Sequence, residues 1–215
     1  MSALNAFLLM GAVLMFLVMW IASRFYDNIP GWKLLISVPL QTAIGLLSVH
    51  IMAFIEIHDW SGRSFFGVVF LAPILMFPVA KLLRIPYGIM MDLCAPAECV
   101  MLALMKVKCY MDGCCYGIIV SLAEGYPRRF PSQKVECVAG LILTVVMLLL
   151  IRSKKHAGKV YLWYMIIYGV VRFMLNLLRD TKPWIGPLPA GNFWSLVAIT
   201  IGTVGMVMIR KKEMT

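Results

Sequence analysis

The chain has 215 residues, of which 62% are hydrophobic and only 14% charged, with a mean hydropathy of +0.88 and a formal charge of +10. A soluble domain of this length cannot bury that much apolar side chain, so the composition excludes a water-soluble enzyme and implies an integral membrane protein. The positive charge is then explained by topology and by anionic lipid headgroups, with no nucleic-acid partner needed.

A transmembrane helix needs about 20 mostly apolar residues to cross roughly 30 Å of hydrocarbon. Seven stretches meet that requirement, at 3–23, 34–56, 66–84, 95–118, 136–152, 160–178 and 191–209. The expected fold class is therefore all-α: a polytopic membrane protein of seven transmembrane helices, forming a single integral membrane domain over 1–215. With the N-terminus outside, the inner connections hold Arg24, Lys33, Lys81, Arg84, Arg152, Lys154, Lys155, Lys159, Arg210, Lys211 and Lys212. The outer ones hold Arg63, Arg128, Arg129, Lys134, Arg179 and Lys182, and eleven cations against six favour an N-out, C-in orientation. The first apolar stretch lacks a basic n-region and a small-residue cleavage site, so it reads as a true span and not as a signal peptide.

Along the chain, Trp20, Phe25, Tyr26 and Trp32 bracket the first connection as an interfacial aromatic belt would. Span two carries Pro39, Gly45 and His50, and the lone histidine reads as a packed residue bonded to a neighbour. Glu56, His58, Asp59 and Arg63 then read as a solvated loop. Gly62, Ser64, Phe65 and Gly67 form a small-residue entry into the third helix, whose free N–H groups suit an anion. Pro73 and Pro78 predict a kinked third span. Asp92 opens span four, with Pro96 near its first turn, where a helix accepts proline.

The stretch Lys106 to Gly117 places two cations, a carboxylate and three thiols between apolar runs. An ionisable group at such depth is costly unless paired or facing a wet cavity, so this cluster is a functional candidate. Gly113 and Gly117 flank Cys114 and Cys115 and let the backbone bend, which predicts a helix ending in a broken, cavity-lining turn. The six cysteines lie at 94, 99, 109, 114, 115 and 137. The spacing Cys109-x4-Cys114-Cys115 is that of neither a zinc ribbon nor a finger, and there is no CxxC, so no metal or cofactor is assigned. Three readings stay open: buried structural thiols, an outward-face disulfide to Cys137 or Cys94, and a soft-metal site or reactive thiolate at Cys109, Cys114 and Cys115 beside Lys106 and Lys108.

The connection 123–135 leads to Glu136 at the head of span five. Within it, Pro131-Ser132-Gln133 reads as a turn with a serine cap and a glutamine for orphan backbone groups. In span six, Arg172, Asn176 and Arg179 recur at i, i+4 and i+7 and share one helical stripe. Arg179 is near enough to the helix end to snorkel, whereas Arg172 lies about two turns deeper. A guanidinium there suits a bidentate clamp on a lipid phosphate, a reading preferred over a structural ion pair with Asp112 or Glu136. The two guanidiniums are expected to share a wet pocket between helices four and six.

Five of these segments occur in an order that resembles the prolipoprotein diacylglyceryl transferase family. They are Gly62-Arg-Ser-Phe-Phe-Gly67, the 106–117 stretch, Pro131-Ser-Gln-Lys-Val-Glu136, Tyr168-Gly-Val-Val-Arg172-Phe through Arg179, and Gly186-Pro-Leu with Gly191-Asn-Phe-Trp-Ser195. The resemblance covers residues 60 to 205 and implies a seven-helix bacterial inner-membrane enzyme with its N-terminus outside. Such an enzyme moves diacylglycerol from phosphatidylglycerol to the lipobox cysteine of a lipoprotein precursor and releases glycerol phosphate. No cofactor is expected, and the chain is expected to act as a monomer.

Position by position, the resemblance gives Arg172 the role of neutralising the phospholipid phosphate and Arg179 that of a second arginine on the same helix. Lys106 stands where the family has an arginine and Asp112 where it has an asparagine, while Gly113 and Gly117 match its glycines. Pro131, Ser132, Gln133 and Glu136 match the following turn, and Tyr168, Gly169 and Phe173 frame the last signature. Catalytic roles therefore fall on Arg172, Arg179, Lys106, Asp112 and Glu136. Substrate contacts fall on Gly113, Gly117, Ser132, Gln133, Tyr168, Gly169, Asn176, Ser64 and Gly67. The chain departs from the pattern at Phe66 and Phe130, where the family has histidines, at Cys114 and Asn176, where it has glutamates, and at Cys109, where it has an asparagine. These departures mark a divergent, cysteine-rich member. They keep open a second class of function, a non-catalytic lipid-binding or metal- and thiol-handling protein on the same scaffold.

Overall fold

The computed structural model describes residues 3–26, 29–123 and 126–214. Among them are seven helices, α1 (Ala3–Ser23), α2 (Gly31–Ile57), α3 (Phe66–Leu82), α4 (Tyr87–Met111), α5 (Ser132–Arg152), α6 (Val160–Leu177) and α7 (Ala190–Met214). Five of these, α2 and α4 to α7, are long and apolar enough to cross a membrane, and α1 and α3 contain shorter apolar helices. The polytopic all-helical expectation holds, with one addition. Two antiparallel strands, β1 (Ile119–Ala123) and β2 (Tyr126–Arg129), lie in the connection between α4 and α5, and residues 124 and 125 of that connection lie outside the described chain.

Helix α4 is the axis of the bundle, with α1, α5 and α6 packed around it. Its residues from Met90 to Val100 are buried without a break, as expected of a helix apolar on every side. It begins eight residues earlier than the apolar run suggested, because Pro86 stands at its N-cap. Pro96 is therefore in the helix interior and not in a first turn, which membrane helices tolerate because neighbouring groups re-satisfy the freed carbonyl.

That shift also moves Asp92 from a helix end into the core. Its carboxylate accepts hydrogen bonds from the Tyr26 hydroxyl (2.5 Å), Gly158 N (2.5 Å) and Val160 N (2.8 Å). An anion at the first N–H groups of α6 satisfies donors that the helix leaves unpaired. Tyr26, expected only as part of an aromatic belt, thus ties the first connection to α4.

Gly67, expected at an anion-binding helix start, has a packing role instead. A Cβ there would stand 1.9 Å from the carbonyl oxygen of Ser48, so the glycine lets α3 lie directly against α2. The nearby N–H groups are already used: Ser64 N donates to Val49 O (3.0 Å) and Gly67 N to Ser64 O (3.1 Å). The Ser64 hydroxyl donates to Glu56 Oε1 at 2.6 Å. Gly67→Ala is expected to push α2 and α3 apart and cost about 1–3 kcal/mol, as overpacked cores do. A lowered unfolding midpoint in detergent checks this, and an unchanged midpoint contradicts it.

The connections at the opposite end from Asp92 gather into one cap. Ile118 N donates to Leu178 O (3.1 Å), Asp180 N to Tyr116 O (3.1 Å), and Trp184 Nε1 to Glu56 O (2.8 Å). These bonds bring the α2–α3, α4–α5 and α6–α7 connections together. Arg129 reaches across to Asp180 at 2.7 Å. His50 meets its bland expectation, its Nδ1 lying 2.9 Å from Trp60 O.

Candidate functional site

Beneath this cap, three cations converge on one carboxylate. Glu136, one turn into α5 and 3% exposed, receives Lys106 Nζ from α4 at 2.8 Å on Oε2. Arg172 from α6 hydrogen-bonds the same oxygen, and Arg179 Nε stands 3.6 Å from Oε1. The side chains of Lys106, Arg172 and Arg179 are only 10 to 13% exposed. The arginines therefore do share a site, and the ion pair with Glu136, the less favoured alternative, is present. Three cations paired with one carboxylate leave an excess of positive charge in a poorly hydrated region, where fixed charges act strongly on an anion.

The spacing of α6 does not deliver its whole stripe to this site. Asn176 is 2% exposed and faces α7, its Nδ2 donating to Asn192 Oδ1 at 2.6 Å. Asn192 Nδ2 in turn reaches Phe173 O at 3.3 Å. Gly169 also faces α7, since a Cβ there would lie 2.9 Å from Ser195 O. Arg179 lies beyond the end of α6, in an extended segment bridged to Gly117. A Cβ at Gly117 would fall 2.4 Å from Phe130 O, so only glycine allows that bridge to form under the hairpin.

The 106–117 stretch breaks as expected. The α4 helix ends at Met111, and the chain then turns through Gly113 at φ +65° and Cys115 at φ +60°. The left-handed conformation costs a residue with a Cβ about 1–2 kcal/mol, so the surrounding contacts must hold Cys115 in place. Ser132 Oγ donates to Cys115 O (2.7 Å) and Gln133 Nε2 to Cys114 O (2.6 Å). Ser132 was expected as a helix cap, but no side-chain cap bond forms at α5, and both polar groups are committed to the cysteine turn. Asp112, expected near the arginines, is exposed and pairs with Lys108 one helical turn back. Carboxylates and cations four apart on a helix meet by local geometry alone, and Glu136 takes the central place instead.

The six cysteines are free thiols. Cys94 and Cys99 are buried in α4, and Cys94 lies about 22 Å along the helix from Cys109, too far for a disulfide to Cys94, while Cys137 on α5 is also a free thiol. Cys109, Cys114 and Cys115 bring their sulfurs within 4.8 Å of one another, with 4.0 Å between Cys109 and Cys115. Beyond the helix end, the Cys115 thiol is pushed down to about 5, first by its contact with Cys109 and then by the Lys106 and Arg179 charges.

The void beside Arg172, lined by Leu102, Glu136, Tyr168 and Leu175 among others, is about 10 Å³, room for roughly one water. The expected wet pocket between helices four and six is thus drawn shut by Glu136. A separate cavity of about 300 Å³ lies between α1, α2 and α4, lined mainly by apolar side chains. Gln41 and Glu98 line it together with Arg63 and Lys108. The Gln41 amide and Glu98 Oε1 are buried without partners. Tyr161 donates to the other Glu98 oxygen at 3.1 Å. The sequence reading passed over Glu98, although an acidic residue amid Met90–Val100 marks it once α4 is placed at Tyr87–Met111. Tyr168 is buried against the rings of Phe65 and Phe66, so Phe66 fills aromatic core where the family pattern has histidine.

A family model described as prolipoprotein diacylglyceryl transferase matches residues 9–208. The chain belongs to the prolipoprotein diacylglyceryl transferase family. It is 27% identical over 165 residues to the phosphatidylglycerol-prolipoprotein diacylglyceryl transferase of Geobacter sulfurreducens, covering 71% of this chain and 63% of that protein. The same-named protein of Clostridium tetani is 30% identical over 125 residues, covering 53% and 50%. That of Ehrlichia ruminantium is 28% identical over 158 residues, covering 66% and 61%. The chain thus aligns with between 50% and 63% of the length of these relatives. The match over 9–208 takes in all five motifs read from the sequence, and so this member of the transferase family carries three thiols next to the cation cluster.

Proposed function

We propose that this protein is a phospholipid-dependent diacylglyceryl transferase of a bacterial inner membrane, with the capped end of the bundle facing outward. It takes diacylglycerol from phosphatidylglycerol and passes it to the cysteine thiol of a lipoprotein precursor. The observation that carries the reading is the convergence of three cations, Lys106, Arg172 and Arg179, on the one carboxylate of Glu136. A phosphodiester carries one negative charge, and the glycerol phosphate that leaves carries up to two. A site with more cations than carboxylates stabilises the extra negative charge of the leaving group more than that of the bound lipid, which is the condition for accelerating the step.

The apolar cavity between α1, α2 and α4 has a lining suited to part of an acyl chain, with Arg63 and Lys108 among its polar residues. Assigning the substrates also draws on the relatives, whose printed names specify phosphatidylglycerol and prolipoprotein. The test is incubation of the purified protein with phosphatidylglycerol vesicles and a lipobox peptide. Glycerol phosphate is expected to appear in step with a diacylglyceryl-modified peptide, and phosphatidylcholine is expected not to replace the donor. Peptide that stays unmodified in the presence of phosphatidylglycerol would favour the non-catalytic reading.

A further inference from the structure

The thiols of Cys109, Cys114 and Cys115 are not absorbed by phosphate binding, yet the fold goes to some length to assemble them. Cys109 sits one turn beyond Lys106 on α4, and the turn through Gly113 folds Cys114 and Cys115 back over it. Ser132 and Gln133 fix the two cysteine carbonyls from α5, and outer contacts of this kind orient metal ligands. Three sulfurs held about 2.3 Å from one zinc ion at tetrahedral angles stand about 3.8 Å apart. The observed 4.0 Å between Cys109 and Cys115, with all three sulfurs within 4.8 Å, is close to that arrangement before any ion is added.

Charge balance points the same way. Three thiolates and one zinc(II) sum to one negative charge, and Lys106, Arg172 and Arg179 all act electrostatically on the Cys115 sulfur. Three protein ligands with a fourth position left open are the pattern of a reactive zinc centre and not of a closed structural one. Cys114 is exposed, so the open position is within reach of an incoming group.

We infer that Cys109, Cys114 and Cys115 bind one zinc(II) ion whose fourth position takes the acceptor thiol as a thiolate. This rests on the transferase reading. Phe66, where the family pattern has histidine, carries no titratable group to accept the acceptor's proton. On coordination the acceptor S–H proton leaves to water. The sulfur lone pair then forms a C–S bond to the glyceryl carbon, the C–O bond to phosphate breaks, and its electron pair leaves on the phosphate oxygen beside Arg172 and Arg179. Zinc keeps its oxidation state throughout.

The test uses full-length protein in detergent, reduced, loaded with zinc and desalted. One zinc per chain is expected, falling at least tenfold in each of Cys109→Ser, Cys114→Ser and Cys115→Ser while Cys137→Ser keeps it. Retention of zinc in all three variants, or a Cys109–Cys115 disulfide in the protein as isolated, overturns the site. Cobalt(II) in place of zinc is expected to show tetrahedral bands, with sulfur-to-cobalt absorption growing in the ratio of four thiolates to three when lipobox peptide is added. A serine-substituted peptide should leave the spectrum unchanged, and no response to the cysteine peptide overturns the acceptor role. Full-rate transfer by metal-free protein would sink this inference and leave the transferase reading standing. A cobalt and peptide response without glycerol phosphate release would do the reverse.

Discussion

Glu136→Gln should destabilise the folded protein by about 3–5 kcal/mol, the range found when one partner of a buried ion pair is removed. That is a large share of the roughly 5–15 kcal/mol that keeps a domain folded. Among the described residues Glu136 is the carboxylate ion-paired to Lys106, Arg172 and Arg179, and all three cations are largely buried. Glutamine keeps the shape but removes the carboxylate that pairs with all three cations. The expected result is a lowered unfolding midpoint in detergent and a poor yield of inserted protein. Adding Arg179→Gln to Glu136→Gln should restore part of the loss, because it removes one of the stranded charges. A single variant as stable as the parent would show that the cluster is hydrated well enough to do without its carboxylate.

Arg172→Ala has the opposite profile. Glu136 keeps Lys106 and Arg179 as partners, so the fold should survive, but the site loses one of its three cations. Removing one preorganised group that stabilises developing charge costs about a hundred- to a thousandfold in kcat, and that is the loss expected in glycerol phosphate release. Arg172→Lys should recover only part of it, because an ammonium restores the charge without the planar fork that matches a phosphate. Arg172→Ala with normal turnover would remove the phosphate role of this residue. Loss of stability in place of activity would make it a structural partner of Glu136.

Much of the architecture was legible in the chain because a membrane span is a local property: some twenty apolar residues announce themselves whatever they pack against. The seven stretches became helices, and the break after Lys106 was readable from Gly113 and Gly117. The start of α4 lies earlier than the apolar run implies because Asp92, read as a charge, looks like a helix boundary. In the fold, Asp92 is satisfied by Tyr26, Gly158 and Val160, far away in sequence.

The hairpin was missed for a related reason. Ile119 to Arg129 is too short and too mixed to declare itself, and its strands are held by pairing with each other and not by any periodicity of their own.

The sequence by itself determined that this is a multi-span membrane protein with arginines, a lysine and a knot of thiols at depth. Only the tertiary structure decided how they are partnered. Residues four apart on a helix differ by about 40° in direction. That is enough to send Asn176 to α7 while Arg172 meets α5. Glu136 came to the centre, and Asp112 went to the surface, because the way α4, α5 and α6 cross sets which charges meet. That crossing is fixed by close packing of side chains distant in sequence, and no periodicity within one helix records it.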